Sequence, residues 1–369
     1  MKRFFAAFGV ICLSMVLSSG ACNKEAEKKG MTWDQLQGEN GEKGGEETLT
    51  DPDIPDNVYS LAGATALMKK KAIDWRKASC SDATRNGAYV YSAMITKYSS
   101  NPQKLAARLQ VLGFKDVYLS PGQSRIQSAD SWVKSFNEAC HGYGMKVYAL
   151  RIAENSLLVK PSNVDSEVSL ITGYNAKVSA AQKFDGINAD LEVHIAKAGT
   201  VSGLQYAWDS SNNYGKGKDN DQLLRLGLEV LTRAGNGLRS AGLELSQAIS
   251  YSYQAHFNKG ELEYGSTSQF LACCDWVVIM AYLSSKESIW NNSEPVLDAA
   301  GKAKSVSIAY KTAMNNVDSA SLQPKGWDYL LETSRYLLQK GASKSAFRGI
   351  DVFTYEGLET MWEWTNDKN

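Results

Sequence analysis

One short run concentrates the residues that could do chemistry. Residues 183–194 read KFDGINADLEVH, where Asp185, Asn188, Asp190 and Glu192 interrupt an otherwise strand-favouring segment. Side chains alternate along an extended strand, so Asn188, Asp190 and Glu192, spaced by two, share one face. Burying three polar groups in a row is costly unless they are paired or used. Adjacent carboxyls disfavour each other's ionisation, so one can keep a proton near neutral pH and deliver it as an acid. Glu192, nearest the strand exit, is the natural proton donor; Asp190, one step back, is its charge partner. Asp185 belongs to an Asp-Gly pair suited to the turn into the strand. His194, two residues past Glu192, has a chain position from which it could meet substrate or orient an acid.

Other chemistries are disfavoured by what is missing. The 369 residues hold three histidines, and no HxH pair or CxxC spacing suggests a metal centre. No GxSxG elbow follows a strand, and ITKYSSNP after the first strand lacks the glycines of a dinucleotide loop. Forty basic residues balance 40 acidic ones, without the basic excess of a nucleic-acid binder. The expected site therefore needs neither metal nor organic cofactor. Nine Trp and 18 Tyr lean instead toward aromatic platforms.

The elements that must position these residues alternate from residue 87 onward. Eight β-rich runs are expected: Ala88–Met94, Asp116–Ser120, Lys146–Arg151, Gly186–Glu192, Glu244–Tyr251, Trp276–Tyr282, Ser305–Tyr310 and Gly349–Tyr355. Apolar residues at helical spacing mark Pro102–Leu112, Ser128–Cys140, Asp221–Ser240 and Trp327–Lys340 between them. Gly113, Gly144, Gly242 and Gly341 stand before following strands, as helix-to-strand turns require. This count and length predict an α/β protein, a closed (β/α)8 TIM barrel with a short N-terminal helical cap from residues 57–86. An open doubly wound sheet is the alternative.

DGINADLE resembles the DGxDxDxE signature of family 18 glycoside hydrolases (chitinases and endo-β-N-acetylglucosaminidases), on the fourth strand as in that family. WVVIMAY resembles the family's Met-x-Tyr strand end, with Tyr282 as the tyrosine, and GIDVFTYEGLETMWEW resembles its closing strand. The resemblance implies a substrate-assisted, retaining hydrolase of N-acetylglucosamine-containing glycans. Glu192 would be the general acid, with Asp190 and Tyr282 steadying the substrate's N-acetyl group. It departs from the signature at Asn188, where the family has Asp. A neutral amide there sets the Asp190 ionisation differently and leaves open a non-catalytic, glycan-binding protein or a structural one with a closed acid network. Asn188, Tyr355, Glu356 and Trp208 are expected to contact substrate, an oligosaccharide or a glycoprotein glycan. Trp208 lies with Tyr206 and Tyr214 in a long loop after the fourth strand, Val193–Asn220. Glu356 or Glu154 could instead serve as a second protein carboxylate opposite Glu192, retaining at a gap of ~5 Å or inverting at ~6.5–9.5 Å. Trp362 and Trp364 could stack on sugar or close the core.

The N-terminus reads as an export signal over residues 1–21: Lys2 and Arg3, an apolar stretch to Leu17, then small residues before Cys22. That stretch is too short to span a bilayer core of ~30 Å. Small residues directly before Cys resemble a bacterial lipoprotein processing site, which implies lipid on Cys22 and membrane attachment by that anchor alone. Residues 22–56 are polar and glycine-rich and read as the lipidated Cys and a flexible tether, leaving residues 57–369 as the barrel domain. The expected location is the periplasm or cell surface. Cys80, Cys140, Cys273 and Cys274 remain in the domain, as buried thiols or with one disulfide.

Overall fold

The computed structural model describes residues 64–196, 199–204, 218–313 and 320–365. Cys22, the expected signal, the expected tether and residues 57–63 of the expected cap lie outside them, as do Tyr206, Trp208 and Tyr214. The strands are β1 (Gly87–Val90), β2 (Asp116–Leu119), β3 (Lys146–Arg151), β4 (Gly186–Ala189), β5 (Glu244–Ile249), β6 (Trp276–Met280), β7 (Val306–Lys311) and β8 (Phe347–Phe353). They pair in parallel and in chain order, and β8 closes on β1 through Asp351 beside Gly87. The helices are α1 (Ala66–Ser79), α2 (Ser92–Lys97), α3 (Pro102–Val111), α4 (Gln123–Gln127), α5 (Ser131–Gly142), α6 (Val164–Asn175), α7 (Lys218–Ser240), α8 (Tyr251–Asn258), α9 (Thr267–Cys273), α10 (Lys286–Asp298), α11 (Gly326–Gly341) and α12 (Tyr355–Glu363). The fold is a closed (β/α)8 barrel. No described helix is long and apolar enough to cross a membrane.

Local chemistry explains where strands stop. Ser250 caps α8 by accepting the Ser252 N–H, so β5 ends at Ile249 and Tyr251 and Tyr253 fall on the helix rather than the strand. Thr354 caps α12 and ends β8 at Phe353 in the same way. Gly113, Gly144 and Gly242 hold φ of 76°, 71° and 71°, as helix-to-strand turns demand. Gly341 differs: it stays helical, and its need is space, since a Cβ there would sit 2.5 Å from the Phe347 ring. The helix ahead of β1 packs along α11 and α12, where Lys71 donates to the carbonyls of Met361 and Trp364.

Period-two alternation divides the strands between two cores. Outward residues such as Val117, Ile187, Val277 and Ile350 pack under the helices. Inward residues Tyr89, Tyr118, Tyr148 and Trp276 form a separate aromatic column, with ring centroids 4.6 Å apart for Tyr89–Tyr118 and 4.9 Å for Tyr148–Trp276. At the strands' N-terminal end the Arg348 guanidinium lies 4.3 Å over Trp276 and pairs with buried Asp116, which also holds Arg85 at 2.6 Å. The barrel axis is therefore packed, and open chemistry is confined to the C-terminal strand ends.

Candidate active site

β4 forms because Gly186 lets it approach β5: a Cβ there would stand 1.9 Å from the Glu244 carbonyl oxygen. The ladder ends at Ala189, three residues short of the expected Glu192, but the alternation continues. Asp190 N–H donates to the Arg151 carbonyl at 3.2 Å, and Leu191 and Val193 stay buried under the helices. That leaves Asn188, Asp190 and Glu192 on the axial side. Asn188 is fully buried; its Nδ2 donates to Ser246 Oγ at 2.7 Å, while its Oδ1 has no partner among the described residues.

Among the described residues no cationic side chain stands against either acid to hold it ionised. Burial pushes the Asp190 carboxyl up to about 6. Burial, then the Asp190 charge, pushes Glu192 up to about 7. Glu192 is 26% exposed and meets one charged-type partner, His194 Nε2, at 3.6 Å from its Oε1. A carboxyl that keeps its proton near pH 7 and still reaches solvent is suited to proton donation. Among the described residues the two acids form no closed network with each other and other side chains, as a purely structural role would require.

Tyr282 and two residues that the sequence did not single out complete the mouth. The Tyr282 ring stacks on Phe353 at 5.0 Å and 28°, and Tyr91 meets the other edge of Phe353 at 5.8 Å and 82°. Burial and the nearby carboxylates raise both hydroxyls, so they remain donors. Deeper on β8, Asp351 accepts from Tyr118 Oη at 2.9 Å and Gly87 N–H at 2.8 Å, and burial pushes it up to about 7. Tyr91 and Asp351 were legible in principle: each lies two residues from an inward neighbour, Tyr89 and Phe353.

One expected residue falls elsewhere. Tyr355 is not at the site. It opens α12, is fully buried against Phe114 in the outer core, and its hydroxyl faces Glu359 at 3.3 Å. Phe353 holds the inward position instead. Glu356 is exposed on the first turn of α12, and Glu154 is exposed just after β3. Trp208 lies outside the described residues. Trp362 is buried, its Nε1 donating to the Met68 carbonyl. His141 pairs with Asp185 at 2.9 Å and His256 with Glu261 at 2.6 Å, both away from the acids. All four domain cysteines are free thiols. Among the described residues no His, Cys, Asp or Glu cluster is placed to hold a metal ion.

No family model and no curated protein matches the chain. Solved structures do. A GH18 chitinase from Pseudoalteromonas aurantia is 11% identical over 76% of this chain and 97% of its own, with a TM-score of 0.52. An endo-beta-N-acetylglucosaminidase from Cordyceps militaris is 13% identical over 79% and 86%, at 0.42. The C-terminal domain of a chitinase-titled protein from Desulfitobacterium hafniense is 14% identical over 63% and 67%, at 0.45. At these identities the first likeness shows a shared barrel fold.

Proposed function

We propose that this barrel is a glycoside hydrolase of the family 18 type, cleaving β-linked N-acetylglucosamine-containing glycans with retention. The observation that carries the reading is the pair Asp190 and Glu192. Two carboxyls stand side by side at the strand exit, raised to about 6 and about 7, with no cation against them among the described residues. Protonated Glu192 gives its proton to the glycosidic oxygen. The C1–O bond breaks as the substrate's own acetamido oxygen bonds to C1. Asp190 takes the charge that develops on the acetamido nitrogen, and the Tyr282 hydroxyl donates to the carbonyl oxygen. Water then attacks C1, passes its proton to Glu192 and releases the acetamido group. Phe353 and Tyr91 supply apolar faces on which a pyranose ring can lie. No cofactor is required.

The chain would reach the periplasm or cell surface as a lipoprotein held by Cys22, with residues 22–56 as a spacer. A second reading, a glycan-binding barrel without turnover, is favoured by one observation: Asn188 is neutral and tied to Ser246. The test is incubation with chitin oligomers and N-glycoproteins beside Glu192→Gln, read by mass spectrometry. Cleavage lost in the variant supports the hydrolase. Glycan retention by both proteins without cleavage supports the binder. Cleavage that survives the substitution removes Glu192 as the acid.

A further inference from the structure

His194 lies on the short turn that leaves Glu192, and its side chain is 15% exposed. Both of its ring nitrogens have polar neighbours. Nδ1 is 2.9 Å from Tyr253 Oη, and the same hydroxyl accepts the His194 backbone N–H at 3.2 Å. A hydroxyl has one proton to give and two lone pairs; with the Tyr253 proton given to Nδ1, the imidazole proton stands on Nε2. Nε2 is the atom 3.6 Å from Glu192 Oε1. Tyr253 is itself immobilised: it is 2% exposed, stacks on Phe270 at 5.7 Å and 17°, and meets the His194 ring edge-on at 5.6 Å.

We propose that His194 is a positioning residue for Glu192: a neutral imidazole, locked in its Nε2–H tautomer by Tyr253, that orients the carboxyl and stabilises its ionised form. The present gap is slightly longer than an ordinary hydrogen bond. A small rotation of either side chain closes it, as happens when such sites engage substrate. Burial lowers the imidazole to about 4, so it stays uncharged beside the acid. Among the described residues the other groups facing Glu192 are Asp190 just past β4, Tyr91 just past β1 and Tyr282 just past β6. Asp190 opposes ionisation of Glu192, and His194 is the donor that offsets it. This rests on the hydrolase reading only where rates are measured.

The test has two arms on the full chain. The first follows the histidine ring nitrogens by NMR between pH 5 and 8, with His194 assigned by its loss in His194→Gln. The expected result is a neutral Nε2–H ring whose Nε2 signal moves with a midpoint near 7 in wild type and not in Glu192→Gln. An Nδ1–H tautomer, a ring that charges near 6.5, or a wild-type signal flat with pH overturns the proposal. Tyr253→Phe is expected to abolish the tautomer preference. The second arm is the pH profile of kcat/KM. His194→Phe moves the basic limb up by about half to one pH unit, and His194→Gln, which keeps an N–H donor, restores much of it. An unmoved limb in His194→Phe overturns the proposal. Absence of hydrolysis on every glycan counts against the hydrolase reading, while the NMR arm still decides His194.

Discussion

Replacing Glu192 by Gln is expected to abolish cleavage and stabilise the fold, in a pH-dependent way. The Glu192 carboxyl titrates at about 7 in the folded chain, against about 4.3 when unfolded. A carboxyl whose pKa rises on folding costs nothing below the unfolded value. The cost grows as pH rises between the two values and is complete above the folded one. A shift of this size corresponds to about 4 kcal/mol at about 1.4 kcal/mol per pH unit. Partial exposure (26%) and coupling to Asp190 reduce that to about 2–3 kcal/mol. Gln has the same shape and no charge. The variant is therefore expected to exceed wild type by about 2–3 kcal/mol at pH 8 and by under about 1 kcal/mol at pH 5. Urea unfolding and melting curves across this range read the difference; the pH 8 gap corresponds to a Tm rise of about 5 °C. A gap of equal size at both pH values, or a Gln variant less stable at pH 8, would refute the raised ionisation of Glu192 and with it the origin of its acidity.

Three further substitutions separate the groups at the mouth. Tyr282→Phe keeps the stack on Phe353 and loses the hydroxyl, so kcat is expected to fall about 10²-fold with stability nearly unchanged; a fall under about threefold removes Tyr282 from the transition state. Tyr355→Phe leaves turnover within about twofold and costs under about 1 kcal/mol in urea unfolding, because Glu359 keeps Tyr98, Arg108 and Lys97 as partners; a large loss of rate would put Tyr355 at the site after all. Asn188→Asp adds a negative charge beside Asp190 and is expected to move the basic limb of the pH profile up by about one unit; an unchanged profile means that position 188 does not set the acids' ionisation.

The sequence exposed the site better than its surroundings, for physical reasons. β3 falls where its apolar run predicts, and Asn188, Asp190 and Glu192 share a face because alternation survives past the end of the β4 ladder. Tyr355 was misplaced because period two was extended through Thr354, whose helix cap turns the chain and swings Tyr355 outward. Asp351, between Ile350 and Val352, is legible only through its period-two relation to Phe353, since an isolated polar residue in an apolar run draws no attention by itself. The His194–Tyr253–Glu192 arrangement joins positions about sixty residues apart, a closeness set by β4–β5 pairing and not by local spacing. Tyr253 takes its place on α8 from the Ser250 cap.

The central claim is that Glu192 donates the proton in a retaining cleavage. The most direct measurement follows the anomers released from a chitin tetramer by proton NMR in the first minutes, for wild type and Glu192→Gln. The account predicts the β-anomer first, before mutarotation, and no product from the variant. An α-anomer first, equal rates for the two proteins, or no cleavage of any N-acetylglucosamine polymer would contradict it.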